Sequence, residues 1–434
     1  MSLERHLPRL AGSFGATALL QIAGFISGVL VARMLGPADR GHMAQIVAWY
    51  SFLAPLALIG LDEASTFLLS SAPRRGVLAS ILAAGAGTAL LALAACASAY
   101  AFVFSGQAWP VRVAAAIFLL YAPFFHLYQV SLATLQAGGR SWAWNLTRSA
   151  VTPLYIAFIG IAALVDGGSL VSLVAANVAA LAVGALVAVG LAASAPDAGK
   201  PSWPVIRQLF AFGRFTVFQR LTIVSRDNLD RMLLPLFVSM SDLGQYAVAA
   251  AIAYFIFLIG FTLDLVAFPA IAKAAPDESR RLAASFVRLG VAATVGAVAI
   301  ALALVDWIVP LVFGPAFLMA ATLAKPLIVA GGFQSVKMLF SSVLKGMNRP
   351  KIIAAVEIVN VLLMVGSLLT LTPLLGAIGA AMAQTIAAAV TCAILVWLTC
   401  TRLTFSWSEL LVPRASDAVA LARTVMRRRG GSDA

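Results

Sequence analysis

Arg33-Met-Leu-Gly-Pro-Ala-Asp-Arg-Gly41 joins the first two apolar runs of the chain. A second short connection, Val238-Ser-Met-Ser-Asp-Leu-Gly244, joins the seventh and eighth and leads into a similar Gln245-Tyr246-Ala247. A further pair follows at a matching distance. Leu135-Gln-Ala-Gly-Gly-Arg140 ends the fourth run and Leu344-Lys-Gly-Met-Asn-Arg349 ends the tenth. The interval from Gly41 to Leu135 is 94 residues, and that from Gly244 to Leu344 is 100. The chain therefore reads as a duplication: two six-span halves in the same orientation, related by an axis along the membrane normal.

Composition agrees with a membrane-spanning chain. Of 434 residues, 62% are hydrophobic and 11% charged, and mean hydropathy is +0.98. Soluble domains hold about 45–50% apolar and about 25% charged residues. Too little polar surface remains to cover this core in water, and disordered chains are poor in apolar residues. A span needs about 20 mostly apolar residues. Twelve such runs are predicted, near 10–32, 43–62, 77–104, 111–135, 146–165, 169–195, 213–238, 243–272, 284–304, 318–343, 352–373 and 377–401. The runs are continuous, so helices are predicted rather than the ten-residue alternations of a barrel. The predicted fold is an all-α polytopic membrane protein with about 12 transmembrane helices. The N-terminal six-helix lobe covers 1–195, the C-terminal lobe 196–402, and a basic tail 403–434 suits an interfacial helix. Cys96, Cys392 and Cys400 stand alone, with no spacing for a metal, and no metal or other cofactor is expected.

The net charge of +13 is mostly explained by orientation. With the N-terminus cytoplasmic, 22 of the 30 Lys and Arg fall in or beside cytoplasmic loops or in the tail. Only Arg33, Arg40, Arg112 and Lys325 fall on the other side. That bias is the positive-inside pattern of a membrane protein with both termini cytoplasmic. It says little about partners, and no nucleic acid is expected. Four cations remain inside spans: Arg220, Arg226, Arg231 and Lys337.

Six segments, in order, resemble the polysaccharide-export flippases of the multidrug/oligosaccharidyl-lipid/polysaccharide exporter superfamily. They are Ala32 to Gly41, Leu135-Gln136 with Gly139-Arg140, Phe210-Ala-Phe-Gly213, Asn228 to Leu234 with Asp242 to Ala247, Leu311 to Phe317, and Leu344 to Pro350. The resemblance implies two six-helix lobes around a central cavity. It also implies a protein that moves a polyprenyl-diphosphate-linked oligosaccharide between leaflets for O-antigen or exopolysaccharide synthesis. Membrane lipids and other polysaccharide-assembly proteins would be its further partners.

Charges inside a membrane cost about 2.5–3.5 kcal/mol each on insertion scales and normally face protein or water. Arg226 with Asp230, and Asp227 with Arg231, stand four apart and can pair along one helix, and Arg226 and Arg231 are also candidates to bind the substrate. Arg220, Lys337 and Arg148 have no evident local partner and are the first candidates for a diphosphate, whose oxygens take charge-assisted bonds. Gln129, Gln219 and Gln334 are candidates for sugar hydroxyls, although amides in spans also serve to join helices. Asp62, Asp264 and Glu357 are candidates to couple transport to a proton or sodium ion. Asp62 and Asp264 lie 21 and 20 residues beyond Gly41 and Gly244. Coupling is not required, since moving an anion outward from a negative cytoplasm is downhill by about 2.3 kcal/mol per charge per 100 mV.

Two rival readings are open to the same chain. A multidrug antiporter of the superfamily would carry a carboxylate in its first span, and residues 10–32 hold none. A glycan polymerase or ligase would need an extended periplasmic loop with clustered acid, base or Arg residues. The longest predicted periplasmic piece, 305–317, holds Asp306 as its only ionisable residue. No catalytic residue is assigned.

Overall fold

The computed structural model describes residues 7–71, 76–193, 199–403, 405–406 and 410. The predicted interfacial helix of the tail lies outside these residues. Among the described residues the secondary structure is helical throughout, with no strand. Thirteen α-helices follow in order: α1 (Leu7–Ala57), α2 (Leu61–Ser71), α3 (Val77–Ala99), α4 (Trp109–Phe118), α5 (Tyr121–Ala137), α6 (Ser141–Asp166), α7 (Leu170–Ala193), α8 (Trp203–Leu233), α9 (Met240–Lys273), α10 (Pro276–Phe313), α11 (Leu318–Gly346), α12 (Pro350–Leu375) and α13 (Ala377–Leu403).

Ten helical runs are long and apolar enough to cross a membrane. The twelve predicted runs differ from these at two places, each for a physical reason. α1 runs through the first connection as one helix, broken only at Gly36, whose φ of 69° and ψ of 178° are not helical. Gly tolerates that conformation, and Pro37 then restarts the helix at a position where a missing N–H costs nothing. The seventh run, α8, carries seven charged residues and is too polar to count by hydropathy. The fourth run is α4 plus α5, interrupted ahead of Pro123. α2 is a short continuation of the second.

Contacts divide the chain into two units, one of 1–235 with 239–244 and one of 236–238 with 245–434. In the first, α8 packs along α1 and α2. Its aromatic core stacks Tyr50 on Phe104, Phe118 on Tyr121 and Tyr121 on Phe125. Tyr50 is fully buried and donates its hydroxyl to the Ala115 carbonyl at 3.0 Å, which satisfies its polar tip. His126, also buried, joins three helices. Its Nε2 lies 3.0 Å from the Ala54 carbonyl, which can only accept, so Nε2 carries the proton. Nδ1 then accepts from the Thr88 hydroxyl at 3.0 Å. Removing the ring with His126→Ala takes away both hydrogen bonds that join the three helices and opens a cavity. A loss of about 2–4 kcal/mol is expected. It would be read as earlier thermal exposure of the buried Cys96 thiol to a maleimide dye.

In the second unit, α11 packs on α10 and α13, and α13 on α12. α9 meets α11 through glycines. A Cβ on Gly260 would lie 2.3 Å from the Ser335 carbonyl oxygen, and one on Gly331 would lie 2.5 Å from that of Ala253. Small residues allow such backbone approach between apolar helices. Gln245 ties the start of α9 to the turn before α11: its Nε2 donates to the Ala316 carbonyl at 2.7 Å, and its Oε1 accepts the Ala320 N–H at 2.9 Å.

The duplication is visible in backbone detail. Gly41 and Gly244 contact each other reciprocally within the first unit. A Cβ on Gly41 would meet the Met240 carbonyl oxygen at 1.8 Å, and one on Gly244 would meet that of Pro37 at 1.8 Å. The ends of α5 and α11 close in the same way. Arg140 N–H reaches Leu135 O at 3.1 Å and Gly139 N–H reaches Gln136 O at 3.2 Å; Arg349 N–H reaches Leu344 O at 2.7 Å and Asn348 N–H reaches Lys345 O at 3.1 Å. Each turn places one residue at positive φ, Gly139 at 68° and Asn348 at 58°. This is the helix-ending motif in which a left-handed residue caps the last carbonyls.

Candidate functional site

The best-defined site lies in the first unit, where the break between α1 and α2 meets α8. Ile59 and Gly60 both have positive φ, 53° and 66°. For a β-branched residue this is strained, and the surrounding packing must hold it. The turn presses Gly60 against Gly213: a Cβ on Gly213 would lie 2.2 Å from the Ile59 carbonyl oxygen. Asp62 and Glu63 follow directly on α2. Arg220 stands seven residues beyond Gly213, two turns along the same face of α8. The backbone contact thus aims the guanidinium at both carboxylates. Arg220 Nη2 reaches Asp62 Oδ1 at 2.9 Å and Oδ2 at 2.7 Å, and it also bonds Glu63 Oε1. The Arg220 and Asp62 side chains are 15% and 17% exposed, Glu63 45%.

Beside this cluster is a cavity of about 400 Å³. It is lined at helical spacing by three elements: Asp62, Glu63 and Thr66 of α2; Tyr128, Gln129, Leu132, Ala133 and Gln136 of α5; Trp144 and Arg148 of α6. The Arg148 guanidinium lies 5.1 Å from the Trp144 ring centroid, a cation–π contact between residues four apart. Carboxylates, amides, two aromatic faces and a guanidinium around one cavity suit a ligand rich in hydroxyl groups.

Arg220 has partners, but they lie 157 and 158 residues away, beyond any local reading. Lys337, buried on α11, lies 3.1 Å from Glu357 Oε1 on α12. Two sequence candidates, Gln129 and Arg148, are brought to the cavity with Asp62. Arg226 donates Nε to Asp227 Oδ1 at 2.9 Å. Asp230 accepts the Arg231 backbone N–H at 2.8 Å. Gln219 is exposed on α8, and Gln334 holds its Oε1 buried on α11 with no hydrogen-bond partner among the described residues. Gln136, Trp144 and Thr66 lie outside the site residues expected from sequence, and Tyr128 reads there as core packing. The four-residue spacing of Tyr128, Leu132 and Gln136 on α5 is the signal that puts them on one face.

The second unit holds its own carboxylate cluster. Asp264 is buried and lies 2.7 Å from Lys345 Nζ, and the Ser342 hydroxyl donates to it. Lys345 also sits 5.6 Å over the Phe268 ring. All three carboxylates considered for ion coupling therefore already face a basic side chain. Lys345→Met would strand Asp264 without its cation, and a loss of about 3–5 kcal/mol is expected for breaking one side of such a pair. The thiols of Cys392 and Cys400, both buried in this unit, would report it as earlier labelling on heating.

Comparison with known proteins gives a consistent picture. Residues 12–275 match the family model described as polysaccharide biosynthesis protein. Among solved structures, the lipid II flippase MurJ in an inward closed conformation superposes with a TM-score of 0.73 at 15% identity, covering 95% of this chain and 92% of that one. An inward-facing multidrug resistance MATE family transporter of the MOP superfamily gives 0.70 at 12% identity, covering 89% and 94%. At these identities the likeness is one of fold. A sequence search of curated proteins finds no match.

Proposed function

The chain belongs to the polysaccharide biosynthesis protein family, and on that premise we propose that it is a flippase for polyprenyl-diphosphate-linked glycans. It would carry the glycan unit from the cytoplasmic to the periplasmic leaflet of a bacterial inner membrane by alternating access, for O-antigen or exopolysaccharide assembly. The observation that carries this reading is the cavity of the first unit. Its carboxylates, amides and aromatic faces suit sugar hydroxyls, and Arg148 on its wall suits a phosphate oxygen. A drug pocket would be lined mainly by apolar and aromatic groups. The fold shared with a lipid II flippase and the predicted excess of basic residues on one side support the same reading.

The fold also matches a multidrug transporter, which keeps one rival in view. Removing the protein from its native cell separates the two. The flippase reading expects loss of surface glycan, accumulation of the lipid-linked unit with its sugar facing the cytoplasm, and unchanged drug susceptibility. Intact glycan with raised drug susceptibility would overturn it. As a transporter the purified protein leaves the glycan unchanged in mass, whereas a polymerase or ligase would lengthen or transfer it. Coupling to a proton or sodium gradient would need one of the three carboxylate–cation pairs to open during transport.

A further inference from the structure

The two halves of the duplication treat one structural position differently. The ends of α5 and α11 share the same turn hydrogen bonds and the same positive-φ residue, so Gln136 corresponds to Lys345 and Ala133 to Ser342. In the second unit, Lys345 and Ser342 both point donors at Asp264. In the first unit, Ala133 and Gln136 stand in those places, and the cavity opens in front of Asp62 and Glu63. Arg220 reaches the two carboxylates from α8 through a single nitrogen, Nη2. Each carboxylate oxygen has two acceptor positions, so Asp62 and Glu63 keep acceptor capacity toward the cavity.

We propose that this cavity seats an uncharged sugar ring of the lipid-linked glycan, which supplies from outside the hydroxyl donor that Ser342 supplies internally in the other half, Arg220 standing in for the cation of Lys345. The inference rests on the flippase reading and specifies what part of the substrate this site recognises. The ring's hydroxyls donate to Asp62 and Glu63, as the Ser342 hydroxyl donates to Asp264. Its apolar face lies against Tyr128 or Trp144, the aromatic walls. Gln129 and Gln136 offer both donors and acceptors to the remaining hydroxyls. A hexuronic acid fits poorly, because its carboxylate replaces a donor with an acceptor-only anion facing two carboxylates. Arg148 on the cavity wall is left for the diphosphate.

The test titrates the full-length protein in lipid nanodiscs with three probes: bare undecaprenyl diphosphate, the same carrier bearing one neutral hexose, and the same carrier bearing one hexuronic acid. The hexose-bearing carrier is expected to bind about tenfold tighter than the bare carrier, the gain from one net charge-assisted hydrogen bond. The hexuronate is expected to bind no tighter than the bare carrier. A double variant, Ala133→Ser with Gln136→Lys, copies the closed half and should remove the preference for the hexose. Its unfolding midpoint, read by Cys96 labelling, shows whether it has folded. The wild-type comparison stands without any variant. Equal binding of bare and hexose-bearing carrier, or tighter binding of the hexuronate, overturns the sugar site while leaving a flippase that reads the diphosphate. Binding of none of the three overturns the flippase reading and the sugar site with it.

Discussion

Arg220→Ala is expected to abolish glycan transport and to lower the stability of the first unit by about 3–4 kcal/mol. The stability loss comes mainly from Asp62, which is left mostly buried with no cation. Glu63 is half exposed, so its share is reduced by solvent to about 1 kcal/mol or less. The transport loss has a separate cause: two unneutralised carboxylates lining the cavity repel the diphosphate of the arriving lipid. The two effects separate in a second variant. Asp62→Asn with Arg220→Gln removes both charges of the buried pair, so most of the stability should return. Transport should stay low, because the acceptors facing the cavity have changed. Arg220→Lys keeps the charge but not the planar donor set that spans two carboxylates, and should fall between wild type and Arg220→Ala. Thermal labelling of Cys96 reads the first quantity and lipid-linked glycan export the second. A stable Arg220→Ala protein with full export would remove this pair from the account.

The next largest effect is expected at Gly213. A leucine there must place its side chain where the Ile59 carbonyl oxygen and the Gly60 backbone now lie, at 2.2 and 3.2 Å from the Cβ position. Neither neighbour is a flexible side-chain end, so α8 must move away from the turn. Overpacking of this kind costs about 1–3 kcal/mol. The functional loss should be larger than the stability loss, because the same movement carries Arg220 away from Asp62 and Glu63. Gly213→Leu should therefore reproduce the transport defect of Arg220→Ala although every charged group is still present. A cross-link between cysteines replacing Asp62 and Arg220 should form readily in an otherwise wild-type background and poorly with Gly213→Leu. Equal cross-linking in the two backgrounds would show that the glycine contact does not position the pair.

Much of the fold was legible in the sequence because hydropathy and turn chemistry are local. The paired connections around Gly41 and Gly244, and around Leu135 and Leu344, recorded the duplication. The structure returns them as reciprocal glycine contacts and as matching turns at the ends of α5 and α11. The count of helices was harder to read from the other direction. Gly36 bends one long helix without ending it, and α8 carries enough charge to fall below an apolar threshold. The site was less legible. Asp62, Gln129 and Arg148 stood out because polar groups are costly within spans. Nothing local to Arg220 or Lys337 announced Asp62, Glu63 or Glu357, since these pairs form between helices and depend on packing. Nothing local marks Trp144, and Gln136 enters the sequence only as part of the Leu135-Gln136 pair, until α2, α5 and α6 are brought around one cavity.

Flipping is read with the purified protein in liposomes carrying a fluorescent undecaprenyl-diphosphate-linked sugar in both leaflets. A membrane-impermeant quencher added outside would remove about half of the signal from protein-free liposomes. With the protein present, the protected half should become accessible, the lipid should keep its mass, and Arg220→Ala should restore protection. A protected half that persists with correctly folded wild-type protein would contradict the flippase reading.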